Sequence, residues 1–215
     1  TSIENIHKVI DPLFLDELQE EFETIQAYKT LNVKRKKLMD FQEKLAHLKF
    51  LDPACGSGNF LTETYLSLRR LENKVLRVLY GEGQGVLGVA ASDIIKVSIQ
   101  QFYGIEINDF AVTVAKTALW IAESQMLDET KNIIYGLDGD FLPLKTYVNI
   151  TEGNALRIDW NDVISADELN YIMGNPPFVG YAYQSKEQKE DLIQITLDMG
   201  KVGKNIDYVA GSYFK

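Results

Sequence analysis

Three short stretches carry residue types and spacings that could do chemistry: Asp52-Pro53-Ala54-Cys55-Gly56-Ser57-Gly58-Asn59-Phe60, Tyr103-Gly104-Ile105-Glu106-Ile107-Asn108 and Gly174-Asn175-Pro176-Pro177-Phe178. In the first, two closely spaced glycines let the backbone turn sharply and bring main-chain N–H groups close to a ligand. A helix beginning there adds partial positive charge, so a nucleotide-like ligand fits. An ordinary glycine-rich turn uses the same residues. The stretch is neither G-x-G-x-x-G, since position 61 is Leu, nor a P-loop, which ends in Gly-Lys-Ser/Thr. In the second, the Glu106 carboxylate at the end of a strand can accept both hydroxyls of a ribose while Ile107 packs on its base; taken alone, Glu106 serves equally well as a helix-capping or surface carboxylate. In the third, two prolines fix φ and donate no hydrogen bonds, so the main-chain carbonyls of Asn175 and Pro176 stand rigidly beside the Asn175 side chain. Such a set of acceptors suits an exocyclic amine whose N–H bonds must be held while its lone pair attacks an electrophile. Phe178 offers a face on which an extruded base can stack. The alternative is a structural proline turn with a core aromatic.

These stretches need elements to position them. From Phe50 onward the chain alternates strand and helix signals, the pattern of a parallel α/β sheet. Lys49-Phe50-Leu51-Asp52, Gln101 to Ile107, Tyr147 to Leu156 and Tyr171 to Phe178 read as four strands with their turns, each chemical stretch lying at the C-terminal end of one. Asn59 to Leu79 has a helical apolar repeat. A second helix carries the stripe Ala111, Val114, Ala115, Ala118, Leu119 and Ala122, with Asp109 in the N-cap position. Gly81 to Gly88, with four glycines, reads as the most mobile insertion, and Gly136 to Pro143 as a loop. A polar helix is expected over 186–199, and another begins at Asp207. Before the sheet, Leu15, Leu18, Phe22 and Ile25, then Leu38, Phe41, Leu45 and Leu48, recur at helical steps and predict an antiparallel hairpin or spacer. The division expected is residues 1–49 as a helical lead and 50–215 as the catalytic core. Lys34-Arg35-Lys36-Lys37 could touch phosphates, although a solvated charged face is the simpler reading.

Composition narrows the classes. The 215 residues allow one ordinary domain with a small appendage. No apolar run approaches the ~20 residues of a membrane span. The first residues lack the basic start and apolar stretch of a secretory signal, so the cytoplasm is the default. One cysteine and two distant histidines supply neither a disulfide framework nor a zinc-like cluster. The net charge of −9 is the wrong sign for a surface that wraps nucleic acid throughout, so DNA-gripping cations are expected locally or elsewhere.

The order D-P-A-C-G-S-G-N-F, G-I-E-I, N-P-P-F resembles motifs I, II and IV of amino-group DNA methyltransferases. It is most similar to large bacterial restriction–modification polypeptides that join nuclease, helical spacer, methyltransferase and target-recognition domain in one chain. That resemblance implies a Rossmann-like fold of seven strands using S-adenosyl-L-methionine to methylate adenine N6 in double-stranded DNA. It implies that Asp52, Ala54, Cys55, Gly56, Gly58, Asn59 and Phe60 wrap the methionine part of the cofactor, with Asp52 near its amino group. Glu106 would hold the ribose hydroxyls and Ile107 would lie against the cofactor adenine. Where the family carries an acidic residue after a glycine in its third motif, this chain has Gly153-Asn154-Ala155, so Asn154 and Ala155 are candidates beside the adenine, with Asp159 as an alternative. A flipped adenine would stack on Phe178 and give its N6 hydrogens to the Asn175 side chain and the Pro176 carbonyl, with Pro177 stiffening the turn. No metal and no covalent intermediate are implied. Cytosine C5 methylation, which needs a Pro-Cys nucleophile, is disfavoured because no His lies near Cys55 in the sequence to activate it.

Enzymes that methylate guanine amines in RNA or a protein glutamine also use N-P-P-F or its Tyr variant, and a non-catalytic cofactor-binding module is a rival from another class. Because the fourth motif marks only the fourth of seven strands, the resemblance predicts that later strands and the recognition domain lie outside this sequence. It follows that the chain alone should bind cofactor weakly and not methylate DNA, and that an unpaired edge beside the fourth strand would favour self-association.

Overall fold

The computed structural model describes residues 1–81, 90–137 and 148–195. The glycine-rich stretch after Gly81, most of the loop before Pro143 and the helix beginning at Asp207 lie outside the described residues.

The lead segment forms α1 (Ile3–Ile10) and α2 (Asp16–Gln26), joined by one π-helical turn over Asp11–Leu15. Pro12 has no N–H to complete a regular turn, and its ring crowds the preceding one, so the chain widens there instead of continuing as α-helix. α3 (Leu31–His47) returns alongside α2. The Phe22 and Phe41 rings stack at 6.3 Å and Lys44 pairs with Glu21 at 2.6 Å. The two apolar series read from the sequence, Leu15 to Ile25 and Leu38 to Leu48, are buried. Lys34, Arg35 and Lys36 carry no ion pair among the described residues, while Lys37 lies over the Tyr28 ring at 5.1 Å.

Beyond α3, four parallel strands, β1 (Phe50–Asp52), β2 (Phe102–Glu106), β3 (Asn149–Glu152) and β4 (Tyr171–Ile172), form a sheet ordered β3-β2-β1-β4. Between them run α4 (Asn59–Tyr80), the short α5 (Ala91–Ile94) and α6 (Asp109–Ile133). This is the α/β Rossmann-like arrangement expected. α7 (Lys186–Ile195) follows β4. The chain steps outward from β1 to β3 and then crosses to β4 on the other side of β1. The reversal leaves a crevice beyond the C-terminal ends of β1 and β4, the switch point at which open α/β sheets bind ligands. Among the described residues β4 pairs only with β1. No described helix is long and apolar enough to cross a membrane.

Strand alternation sends Phe50 and Phe102 to the helical side and Leu51 and Ile105 to the other, where Ile164 and the segment around Trp160 cover them. On the helical side a row of rings crosses three strands. Phe50 stacks on Phe102 at 5.2 Å and on Tyr171 at 5.4 Å, while Phe14 of the lead segment lies 5.1 Å from Phe50. The lead helices therefore share one core with the sheet, from Ile6 through Ile150.

A buried polar hub adds direction to this packing. Glu72 pairs with Arg69, accepts the Gln42 amide at 2.6 Å and accepts the main-chain N–H of Lys96 at 2.7 Å, while Arg69 donates to Thr130 at 2.8 Å. Each partner comes from a different segment, so α3, α4, α6 and the approach to β2 are fixed together.

Two sequence expectations shift on α6. Asn108, not Asp109, is the N-cap: it is extended and its side chain accepts from the Ala111 N–H at 3.0 Å, whereas Asp109 is the first helical residue. The buried stripe runs Val112, Ala115, Leu119, Ala122 and Met126, with Ala111, Val114 and Ala118 only flanking it, because packing against α4 selects the line one residue over.

Replacing Phe50 with Ala removes the ring at the centre of the aromatic row, and the unfolding free energy should fall by about 3–5 kcal/mol in urea titration. A loss below about 1 kcal/mol would mean that the row does not join the lead helices to the sheet.

Candidate functional site

Three of the strand ends, those of β1, β3 and β4, are followed by a residue tied to the neighbouring strand. The Cys55 N–H donates to the Ile105 carbonyl at 3.1 Å, the Gly153 N–H to the Glu106 carbonyl at 2.8 Å, and the Met173 N–H to the Leu51 carbonyl at 2.9 Å. The glycines of the first turn have separate tasks. Gly56 takes φ +53° with open space where a Cβ would stand, leaving its backbone uncovered. Gly58 takes φ +80° at the start of α4, where a Cβ would lie 3.0 Å from that of Ala115, so glycine lets α4 begin in contact with α6.

Glu106 joins the turns after β1 and β2. Its Oε2 accepts the Gly56 N–H at 2.9 Å and its Oε1 the Asn108 N–H at 2.9 Å. Each carboxylate oxygen retains a second lone-pair direction, so the group can still accept from a pair of ligand hydroxyls.

A cavity of about 370 Å³ opens at the switch point. Its wall combines Ala54, Gly56, Glu106, Ile107, Asn154 and Ala155 with Asn175, Pro176 and Pro177, bringing the three separated stretches together. Pro53, Ile105, Gly153 and Leu156 complete it; these four lay within or beside the sequence motifs, but nothing in their types marked them out. The size matches the lower range of small-ligand pockets.

Other expected site residues lie around the cavity and not in its wall. Asp52 is buried beneath it, Cys55 is buried at the close approach to Gly104, Phe60 is in the core and Asn59 is exposed. Phe178 is 75% exposed, so its ring is free to meet an incoming group. The Asn175 amide donates to the Thr1 hydroxyl at 3.2 Å, a contact no sequence signal pointed to. Asp159 spends its carboxylate on the Asn161 N–H at 2.9 Å and does not line the cavity. Asn154 does line it, with its side-chain carbonyl held by the Leu156 N–H at 2.9 Å.

The Asp52 carboxyl is strongly perturbed. Burial raises its pKa from 3.8 to about 7, the Ala54 N–H opposes that shift, and the Glu106 charge adds to it. A Cβ on Gly174 would stand 2.4 Å from Asp52 Oδ1, so only glycine lets the third stretch lie directly over this group. Burial likewise raises the Cys55 pKa, keeping it a neutral thiol unsuited to nucleophilic attack. Among the described residues no three His, Cys, Asp or Glu side chains gather as a metal site.

Residues 28–215 match the family model described as MmeI, DNA-methyltransferase domain. The chain belongs to this family. It is 44% identical, over its whole length, to a Bacillus subtilis (strain 168) protein named DNA methyltransferase A, of which it spans 23%. It is also similar to the solved structure of the type IIL restriction-modification enzyme MmeI in complex with DNA, with a TM-score of 0.88 and 44% identity, covering 100% of this chain and 27% of that one. The chain thus spans about a quarter of the length of each of these two relatives. The family bears out the resemblance stated from the sequence, and the cavity described above is where this chain brings the three stretches together.

The raised pKa of Asp52 makes a stability prediction. A carboxyl whose folded pKa of about 7 exceeds the unfolded 3.8 is penalised whenever the chain must hold it ionised. The penalty is absent below about pH 4, grows through pH 4–7 and is complete above pH 7, where the full shift corresponds to at most about 4 kcal/mol. Without ligand, Asp52→Asn should therefore gain stability relative to the parent chain as pH rises from 5 to 8, followed by thermal melting. A constant difference across that range would refute the assignment.

Proposed function

We propose that this chain is the cofactor-binding and catalytic part of a DNA methyltransferase that transfers a methyl group from S-adenosyl-L-methionine to adenine N6 within a bacterial restriction–modification system. The observation that carries this reading is the shared wall: Asn175, Pro176 and Pro177 line the same cavity as Gly56, Glu106 and Ile107.

The residues present fit the cofactor. Glu106 is oriented to accept the ribose hydroxyls, Ile107 gives an apolar surface beside the adenine, and the turn Gly153–Leu156 supplies the opposite wall. The uncovered backbone at Gly56 admits close approach. Asp52, buried below, favours a cationic group nearby, since ionisation there needs a compensating positive charge. When bound, S-adenosylmethionine supplies an electrophilic methyl group. Asn175 and the Pro176 carbonyl hold the two N6 hydrogens of the target adenine, and this hold directs the nitrogen lone pair away from the ring. The prolines keep these acceptors rigid, so the residues act mainly by positioning. Phe178 is exposed for stacking on a base extruded from the duplex.

Family membership favours DNA over the RNA and protein substrates that N-P-P-F also serves, and the solved relative was in complex with DNA. Such a substrate puts the work in the cytoplasm. A binding module without catalysis would have no use for a rigid set of amine acceptors in the wall of its cofactor cavity.

Isothermal titration with S-adenosylmethionine should show Glu106→Ala weakening binding about 10–100-fold, the loss of hydrogen bonds to a charged group. In the full-length protein, Asn175→Ala should lower transfer of labelled methyl groups to DNA by at least about 100-fold while cofactor still binds. Retained transfer would remove the amine-holding role, and unchanged binding by the Glu106 variant would remove the cofactor assignment.

A further inference from the structure

The loop that carries Asn175 to Phe178 is anchored at both ends against cofactor-side residues. At its start Gly174 lies over Asp52. At its far end Asp191 of α7 reaches back to the turn after β3. Its Oδ1 accepts from Arg157 Nε at 2.9 Å and its Oδ2 from Asn154 Nδ2 at 3.2 Å. Asn154 lines the cavity, and its own side-chain carbonyl is committed to the Leu156 N–H. The rotamer of this wall residue is therefore set from two sides, by its own turn and by Asp191.

The site of Asp191 is unusual for a mid-helix carboxylate on an otherwise polar helix. Its side chain is only 12% exposed, whereas that of Arg157 is 58% exposed. An ion pair open to water on one side contributes little. The bond to Asn154 lies on the inward side, where a carboxylate withdrawn from water must be matched by donors.

We infer that Asp191 is a positioning residue of the cofactor site: it holds the Asn154 side chain in the cavity wall and links that wall to the loop carrying Asn175. The inference rests on the function proposed above. It assigns the S-adenosylmethionine pocket a residue that comes after the target-binding loop in the chain, outside all three motifs. The linkage makes cofactor affinity sensitive to a residue that does not itself line the cavity.

The test measures S-adenosylmethionine binding and steady-state methyl transfer in the full-length protein for Asp191→Ala, Asn154→Ala, the double variant and Glu106→Ala. Asp191→Ala should weaken cofactor binding about 5–10-fold, less than the full value of a charge-assisted hydrogen bond because Asp191 acts through Asn154, and leave kcat at saturating cofactor and the KM for DNA within about threefold. Because Asp191 acts through Asn154, the double variant should bind no more weakly than Asn154→Ala. Should Asp191→Ala not fold, Asp191→Asn decides. It keeps the shape but must turn its amide nitrogen toward a donor, so it should weaken binding at least threefold. Normal binding by the Asp191 variants beside a weakened Glu106 variant would overturn this inference and leave the proposed function standing. Normal binding by Glu106→Ala would overturn both. Additive losses in the double variant, or a fall in kcat together with lowered thermal stability, would make Asp191 a purely structural contact and overturn its positioning role.

Discussion

The Glu106 carboxylate is the point on which the site depends. It accepts one main-chain N–H from the glycine turn after β1 and one from the N-cap residue of α6. The turns of two adjacent strands are thereby locked at the open end of the sheet before any ligand arrives. Its negative charge also bears on Asp52, whose pKa is raised mainly by burial and further by Glu106. Asp52 lies buried beneath the crevice that Glu106 lines, so the Glu106 carboxylate disfavours ionisation of Asp52 there. Perturbed groups of this kind mark functional sites more often than packing sites.

The support for that arrangement is spread over the whole described chain. Parallel strands this short, with two residues in β4, cannot position a site by hydrogen bonding alone. Stacked rings of Phe102, Phe50 and Tyr171 weld three strands edge to edge, and Phe14 fastens the lead helices to them. On the helical side, burying Arg69 and Glu72 is tolerable because each finds further partners in other elements. The lead helices of this MmeI-family domain thus belong energetically to the sheet's core, whatever they do in the longer relatives.

Close approaches between backbones add a second kind of constraint. Gly58 admits α6, Gly104 admits Cys55, and Gly174 admits Asp52. Each lets a neighbour come nearer than a Cβ would allow. Gly104 and Gly174 have ordinary φ values, so their reason is the space they leave and not the conformation they adopt. The Asp191 contact belongs with them, since it too joins segments that the sequence keeps far apart.

Much of this was legible from the sequence because it depends on local chemistry. Strand ends followed by D-P-A-C-G-S-G, by an acidic residue and by N-P-P-F sit at one end of a parallel sheet for reasons of backbone geometry, and the apolar repeats of α2, α3 and α4 specify which faces are buried. The sequence by itself therefore determined the fold class, the order of the motifs and the family. It did not determine which line of α6 faces inward, since Val112 and Val114 are equally apolar and packing on α4 chooses between them. Nor could it separate Asn154 from Asp159 beside the cavity: both are small polar residues in turns, and only the folded chain commits Asp159 to capping its own turn. That Phe60 and Cys55 support the site from the core, while Thr1 and Asp191 touch its polar residues, was decided by tertiary structure, because those contacts join residues whose separation in sequence carries no periodic or chemical signal.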